Sequence, residues 1–139
     1  LSTYRALSKS IRSGLVKTSH DCSEGGVAVA IAEMCIGGRI GAIIDIDGTG
    51  DDSLWARLWG ESLGRFIVGV KPEKEQEWLT TMSGYGITYL GETTQQENLV
   101  IRDGFDEIID LNIIIETNLF LFHFFVNLIG INITSIFCF

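Results

Sequence analysis

Tyr4, Leu7, Ile11 and Leu15 recur at three- and four-residue steps. The spacing predicts an amphipathic helix over roughly residues 2–16, with Lys9, Arg12 and Lys17 on its wet side. A short polar segment, residues 18–26, follows. Residues 27–36 are then apolar nearly all round, broken only by Glu33, and Ala28, Ala30 and Ala32 allow close approach of neighbours. This reads as a buried helix stopped by Gly37-Gly38. Ile40, Ala42, Ile44 and Ile46 alternate as one face of a strand, and residues 47–52 make a turn. Leu54, Trp55, Leu58 and Trp59 sit at helical spacing, with the two tryptophans expected in the core. Phe66, Val68 and Val70 alternate again. Pro72 opens a charged helix whose apolar side carries Trp78, Leu79 and Met82, and Gly84 and Gly86 end it. Residues 87–90 and 99–101 read as short strands. Helices and strands alternate, so the expected architecture is α/β (or α+β): a mixed sheet with helices packed on it.

Composition changes this picture at one end of the chain. The 139 residues are one domain's worth, and an apolar share of 46% with a charged share of 20% excludes a disordered or collagen-like chain. All charged residues lie at or before Glu116, while six of the eight phenylalanines lie at or after Phe120. Residues 119–139 form an uncharged run of 21, long enough to span a bilayer. The run also contains His123, Asn127, Asn132, Thr134 and Ser135, and it lacks flanking Lys/Arg and aromatic belts. The expected division is a domain at 1–112 and a divergent apolar tail at 113–139. A tail outside the natural reading frame, or a gene-model error, is the first expectation for it. A membrane anchor is the second and an extra buried strand pair the third.

Charge and cysteines narrow the function classes. Net charge is −8 with no Lys/Arg cluster, so nucleic acid is excluded as an expected partner. Cys22, Cys35 and Cys138 are odd in number and form no C-x-x-C pair, which argues for buried thiols in a reducing cytosol rather than a disulfide framework. The chain opens on Leu1 inside a helical pattern, with no basic segment and cleavage site before it. The expectation is a fragment of a longer cytoplasmic chain.

Three constellations offer chemistry. In His20-Asp21-Cys22-Ser23-Glu24-Gly25-Gly26, the acids are hard oxygen ligands suited to Mg²⁺. Ser23 adds a hydroxyl, and Gly25 and Gly26 leave amides open to a phosphate at a helix N-terminus. The plain alternative is that Asp21 and Glu24, three apart, form a capping box; on spacing alone it is favoured. Residues this close in sequence cannot form a Ser/His/Asp triad. In Gly60-Glu61-Ser62-Leu63-Gly64-Arg65, a polar loop at a strand edge offers a wrap for phosphate or sugar, with Arg65 as a bidentate donor. Its plain alternative is a solvated loop with a Glu61–Arg65 ion pair. Asp45-Ile46-Asp47-Gly48-Thr49 resembles the D-x-D-G-T nucleophile motif of haloacid-dehalogenase-type phosphatases and opens like a calcium loop. It has Ala56 where that loop needs glutamate, and the expectation is an acidic turn. His123 reads as incidental.

Residues 13–34, SGLVKTSHDCSEGGVAVAIAEM, closely resemble the opening of the C-terminal domain of phosphoribosylformylglycinamidine synthase, the PurL-type enzyme of purine biosynthesis. In order, residues 41–46 fit the family's next strand, LWGESLGRFIV (58–68) its GES-x-GR segment, and GITYLG (86–91) a later strand. The resemblance covers about residues 1–112 and implies an AIR synthetase C-terminal-domain-like fold. The same superfamily includes aminoimidazole ribonucleotide synthetase, selenophosphate synthetase, thiamine-phosphate kinase and a hydrogenase maturation factor.

The resemblance implies an ATP-dependent amidoligase. It activates the formyl amide oxygen of formylglycinamide ribonucleotide with ATP and Mg²⁺, and ammonia from a glutaminase domain or subunit displaces phosphate. It places Asp21 on a Mg²⁺-ligand position, Ser23, Gly25 and Gly26 on the nucleotide-contacting turn, and Glu61, Ser62 and Leu63 on a substrate-binding loop, one that touches the substrate in the equivalent domain of the family's other half. The family duplicates this domain, and HDCSEGG resembles the copy that serves an auxiliary nucleotide site. The family's catalytic histidines lie in its N-terminal half, so no catalytic residue is assigned to this chain and the isolated domain is expected to be inactive. The other class in view is a non-catalytic nucleotide-binding or interaction module.

Overall fold

The computed structural model describes residues 2–50, 53–114 and 135–138. In chain order the elements are α1 (Ser2–Arg12), β1 (Val16–Asp21), α2 (Gly26–Gly38), β2 (Gly41–Asp45), α3 (Leu54–Trp59) and β3 (Phe66–Val70). A single 3₁₀ turn (Pro72–Lys74) then leads into α4 (Glu75–Thr81), β4 (Thr88–Thr94), β5 (Asn98–Asp103), β6 (Asp106–Asn112) and β7 (Ser135–Cys138). The strands form one mixed sheet in the order β1-β3-β7-β4-β2-β5-β6. Only β2 and β5 run parallel among the described pairs.

Alternation along the central strands divides the core into two layers. Ile67, Ile136 and Cys138 point to one face, where they join Val27, Ala30 and Ile31 of α2, Leu58 of α3 and the β2 residues Ala42 and Ile44. Val68, Val70 and Phe137 point to the other, against Leu7 of α1 and Trp78 of α4, with Met82 just beyond it. The expected helix-covered mixed sheet is therefore present, with helices on both faces. Strand β3 reads FIVGV with almost no polar interruption because both of its faces are covered.

Several expected boundaries move. The first helix ends at Arg12, and the first part of the polar segment 18–26 belongs to the edge strand β1, with Ser19, His20 and Asp21 facing Val68, Ile67 and Phe66 across the ladder. An edge strand tolerates the polar alternation that hid it from the pattern. Tyr4 and Ile11, expected on the apolar face of α1, are half exposed, while Leu7 and Ser10 are buried. Ser10 Oγ donates to the Ala6 carbonyl at 2.9 Å, which satisfies the hydroxyl without leaving the helix. Gly37 and Gly38 do not stop α2; the helix includes them and ends at Arg39 in the left-handed region (φ 48°), whose amide points at the Cys35 and Ile36 carbonyls. Trp55 and Trp59 are not core residues: they are 73% and 38% exposed, and Leu58 takes the buried place. A helix of six residues buries one narrow stripe, and the stripe here runs through Leu58.

Most of the apolar tail, residues 115–134 and 139, lies outside the described residues, and so does His123. Within the tail, Ser135–Cys138 forms β7 between β3 and β4. Phe137 lies opposite Val68 on one side and Tyr89 on the other, and its ring is 5.5 Å from that of Tyr89 and 6.1 Å from that of Trp78. Among the described residues, no helix is long and apolar enough to cross a membrane.

Candidate functional site

The HDCSEGG motif sits where β1 gives way to α2. Asp21 is the last residue of β1, and its carboxylate is exposed. The Ser23 hydroxyl donates to Asp21 Oδ2, and this bond, ahead of one from the residue's own backbone, holds the Asp21 carboxyl below the usual aspartate range. The site therefore keeps an ionised oxygen ligand at its rim. His20 ties the strand to the helix: Nε2 is 3.0 Å from Glu33 Oε2, and Nδ1 is 2.7 Å from the Asp21 carbonyl oxygen.

The capping box expected from Asp21 and Glu24 does not form. The chain needs four residues after Asp21 to turn before α2 begins at Gly26, and no side chain caps the helix from the N-cap residue Gly25. Both glycines have positive φ, 78° and 63°. A Cβ on Gly25 would meet Val29 Cγ2 at 2.3 Å, and one on Gly26 would meet the Leu58 carbonyl oxygen at 2.7 Å. Backbone conformation and the contact with α3 thus both require glycine here. The Gly26 amide turns back to the Ser23 carbonyl at 3.1 Å.

The second motif comes to the same place. Residues 60–65 leave α3 with the Gly60 amide on the Ala56 carbonyl at 3.0 Å, and reach β3 with the Arg65 carbonyl accepting from the Cys22 amide at 2.9 Å. Between these points Glu61 Oε1 accepts a bond from the Gly25 amide at 3.2 Å. This replaces the expected Glu61–Arg65 ion pair, which is absent from the ion pairs of the described residues. It also supplies what the capping box would have supplied, a carboxylate on the N-cap amide, from 36 residues away. No local spacing rule detects such a partner. Ser62 and Leu63 are exposed, Leu63 fully. Asp21, Ser23, Gly25, Gly26 and Glu61 therefore share one neighbourhood, with Ser62 and Leu63 next to it on the loop.

The third motif is built differently. Asp45 Oδ1 accepts from the Asp47 amide at 2.9 Å and from the Gly104 amide at 3.1 Å, so the carboxylate closes a turn. Arg57 grips Asp103 with two bonds of 2.7 and 2.6 Å, locking α3 to the end of β5. This is the acidic turn expected from the sequence. Under the two motifs, Cys22 and Cys35 are buried; a hydrogen bond with Cys138 and burial push the Cys22 thiol up, and burial pushes Cys35 up to about 12. Neither is a ready nucleophile. Among the described residues, no group of three or more His, Cys, Asp or Glu is placed to hold a metal ion.

Comparison with known proteins identifies the domain family and the fold. Residues 2–104 match the family described as AIR synthase related protein, C-terminal domain. The phosphoribosylformylglycinamidine synthase subunit PurL of Synechocystis is 38% identical over 102 residues, 71% of this chain and 13% of that protein. The Deinococcus radiodurans subunit is 38% identical over 91 residues, 66% of this chain and 12% of that protein. The chain thus spans about an eighth of the length of these relatives. Two solved structures of Thermotoga maritima PurL, one complexed with ATP and one with FGAR, superpose with TM-scores of 0.70 and 0.71 at 23% identity. They cover 80% and 81% of this chain and 20% of theirs, a likeness of fold.

Proposed function

The chain belongs to the AIR synthase related C-terminal domain family, and from that premise we propose that it is one domain of a phosphoribosylformylglycinamidine synthase of the PurL type. In the longer cytoplasmic enzyme, this reading gives the domain a magnesium–nucleotide surface at the start of α2. The whole protein is an amidoligase: it converts formylglycinamide ribonucleotide to the amidine, with ATP and with ammonia from a glutaminase domain or subunit. The single observation that carries the proposal is the meeting of the two motifs at the Gly25–Glu61 bond. Residues far apart in sequence converge there without forming core, and convergence of polar groups around a helix N-terminus suits anion recognition.

In this reading Ser23, Gly25 and Gly26 face the nucleotide, and the loop carrying Glu61, Ser62 and Leu63 faces the ribonucleotide substrate. Asp21 fits Mg²⁺ as a single ionised oxygen donor, kept so by Ser23. Phosphate oxygens and water would supply the other ligands of such an ion. When bound, Mg²⁺ neutralises phosphate charge during phosphoryl transfer. The chain's own residues bind and orient; none of them is proposed as the acid, base or nucleophile, and those groups belong to the missing N-terminal half.

Calorimetric titration with Mg·ATP tests the proposal. Binding weakens about tenfold or more in Asp21→Ala, the loss expected for one charged contact; an unchanged affinity in that variant overturns the assignment of Asp21. The isolated chain turns over no ATP, with or without formylglycinamide ribonucleotide, and a measurable rate would refute the assignment of the reacting groups to the rest of the enzyme. The glycine contacts favour a second reading, a structural module that kept the fold, because packing alone accounts for Gly25 and Gly26. That reading predicts no nucleotide binding at all.

A further inference from the structure

Three thiols are buried in one core layer, and two of them meet. Cys22 and Cys138 are 5% and 4% exposed and belong to the same cluster as Ile67. Cys22 is the first residue past β1, with its amide on the Arg65 carbonyl just before β3. Cys138 ends β7 and lies opposite Ile67, which has His20 of β1 on its other side. The two cysteines thus reach the start of β3 from its two sides, and their side chains join in a thiol–thiol hydrogen bond. They are 116 positions apart in sequence. Cys35 takes no part in this contact. It lies on α2 nine residues beyond Gly26, so about 14 Å of helix separates it from the turn that holds Cys22.

We propose that Cys22 and Cys138 are a reversible disulfide site, closed as the chain folds in the presence of a small disulfide oxidant such as oxidised glutathione. The two thiols give up two electrons and two protons and become one S–S bond. Oxidised glutathione takes up both and leaves as two molecules of reduced glutathione. The bond shortens the existing contact to about 2.0 Å. Cys22 is held as a thiol in the finished structure, so exchange takes place while the core is still open and a thiolate can attack. Once made, the bond ties β7, which lies outside the family-matched residues 2–104, to the end of β1. It also removes conformations from the unfolded chain, which favours the folded one. The proposal is independent of the nucleotide reading.

The test refolds the full chain from urea into buffer with oxidised glutathione, quenches with acid, alkylates the free thiols and maps linked peptides by mass spectrometry without reduction. Chain entropy alone favours the shorter loop. In denaturing urea, Cys22–Cys35, 13 positions apart, outnumbers Cys22–Cys138, 116 apart, by about 25-fold. In native buffer the order reverses: Cys22–Cys138 is the main link and Cys35 carries the alkyl group. The linked protein unfolds at higher urea than the same protein after dithiothreitol. Cys35→Ala, which removes the competing thiol, leaves both the link and the rise in place. A native-buffer product that is mainly Cys22–Cys35, a statistical mixture, a cross-linked dimer or wholly reduced protein overturns the proposal. So does a linked protein no more resistant to urea than its reduced form. The linkage is read on the native sequence, so the result stands whether or not the variant folds.

Discussion

Asp21 and Cys35 show how opposite surroundings produce opposite shifts in acidity. Asp21 ends an edge strand in the open, where Ser23 can donate to it, and its carboxyl is easier to ionise than usual. Cys35 lies on the inner side of α2, where burial makes its thiol harder to ionise, at about 12 against an ordinary 9.0. The linkage follows from that direction. Folding holds the Cys35 proton more firmly than the unfolded chain does, so the thiol stabilises the native state fully below pH 9 and loses this contribution as pH rises toward 12. Stability measured by urea unfolding therefore falls between pH 9 and 12, and Cys35→Ala, whatever it costs in packing at neutral pH, makes that fall shallower, with Cys22 and Tyr89, both also pushed up, carrying the remainder. The same burial predicts that Ellman's reagent at pH 8 modifies Cys22 and Cys35 only at the rate of unfolding; fast labelling of native protein would contradict the burial of both thiols.

Arg39 and Phe137 carry the predictions at the level of elements. Arg39 closes α2 in a backbone conformation that suits glycine, so Arg39→Gly stabilises the protein by about 0.5–1 kcal/mol, read as a rise in thermal midpoint. Phe137 is 1% exposed between Trp78 and Tyr89, and Phe137→Ala destabilises by about 3–5 kcal/mol, whereas Leu63→Ala, at a fully exposed position, changes stability by less than about 0.5 kcal/mol. Elements with a strong period were legible in the sequence: the buried alternation of Ala42, Ile44 and Ile46, the apolar helix from Val27, and β3. Elements whose signal is tertiary were not. Strand β1 looks polar because it lies at an edge, and β6 carries Asp106, Glu107 and Asp110 along an exposed edge, so neither shows an apolar stripe. The tryptophans of α3 were misjudged because spacing gives a face but not which face is covered. At the site, the residue types were legible from the two motifs, while the bond that joins them spans 36 positions and leaves no periodic trace.

Taken whole, the molecule is a sheet whose middle is supplied by a segment remote in sequence. Residues 2–104 match the family, yet β7 at 135–138 carries the pairing between β3 and β4. Without it the remaining strands fall into two groups, β1-β3 and β4-β2-β5-β6, and Phe137, Ile136 and Cys138 leave both core layers. A chain ending at residue 112 therefore loses its single cooperative melting transition and binds the dye ANS. A truncated chain that melts cooperatively at the native midpoint would mean that the domain expected at 1–112 is complete without the tail.

The position of β7 also sets an order of events in time. Its partners Val68 and Tyr89 precede Phe137 by 69 and 48 positions, and the β3–β7 pairing spans the longest loop in the strand ladder. Such contacts form slowly, because the entropy of loop closure must be lost before any bond is gained. During synthesis, β3 and β4 emerge well before the strand that will separate them, each with a bare row of amides and carbonyls. For that interval the nascent chain is a template for any extended segment nearby. The yield of folded protein is then governed by a race between residues 135–138 and competing strands, and slower dilution or a holding chaperone shifts that race toward the native sheet.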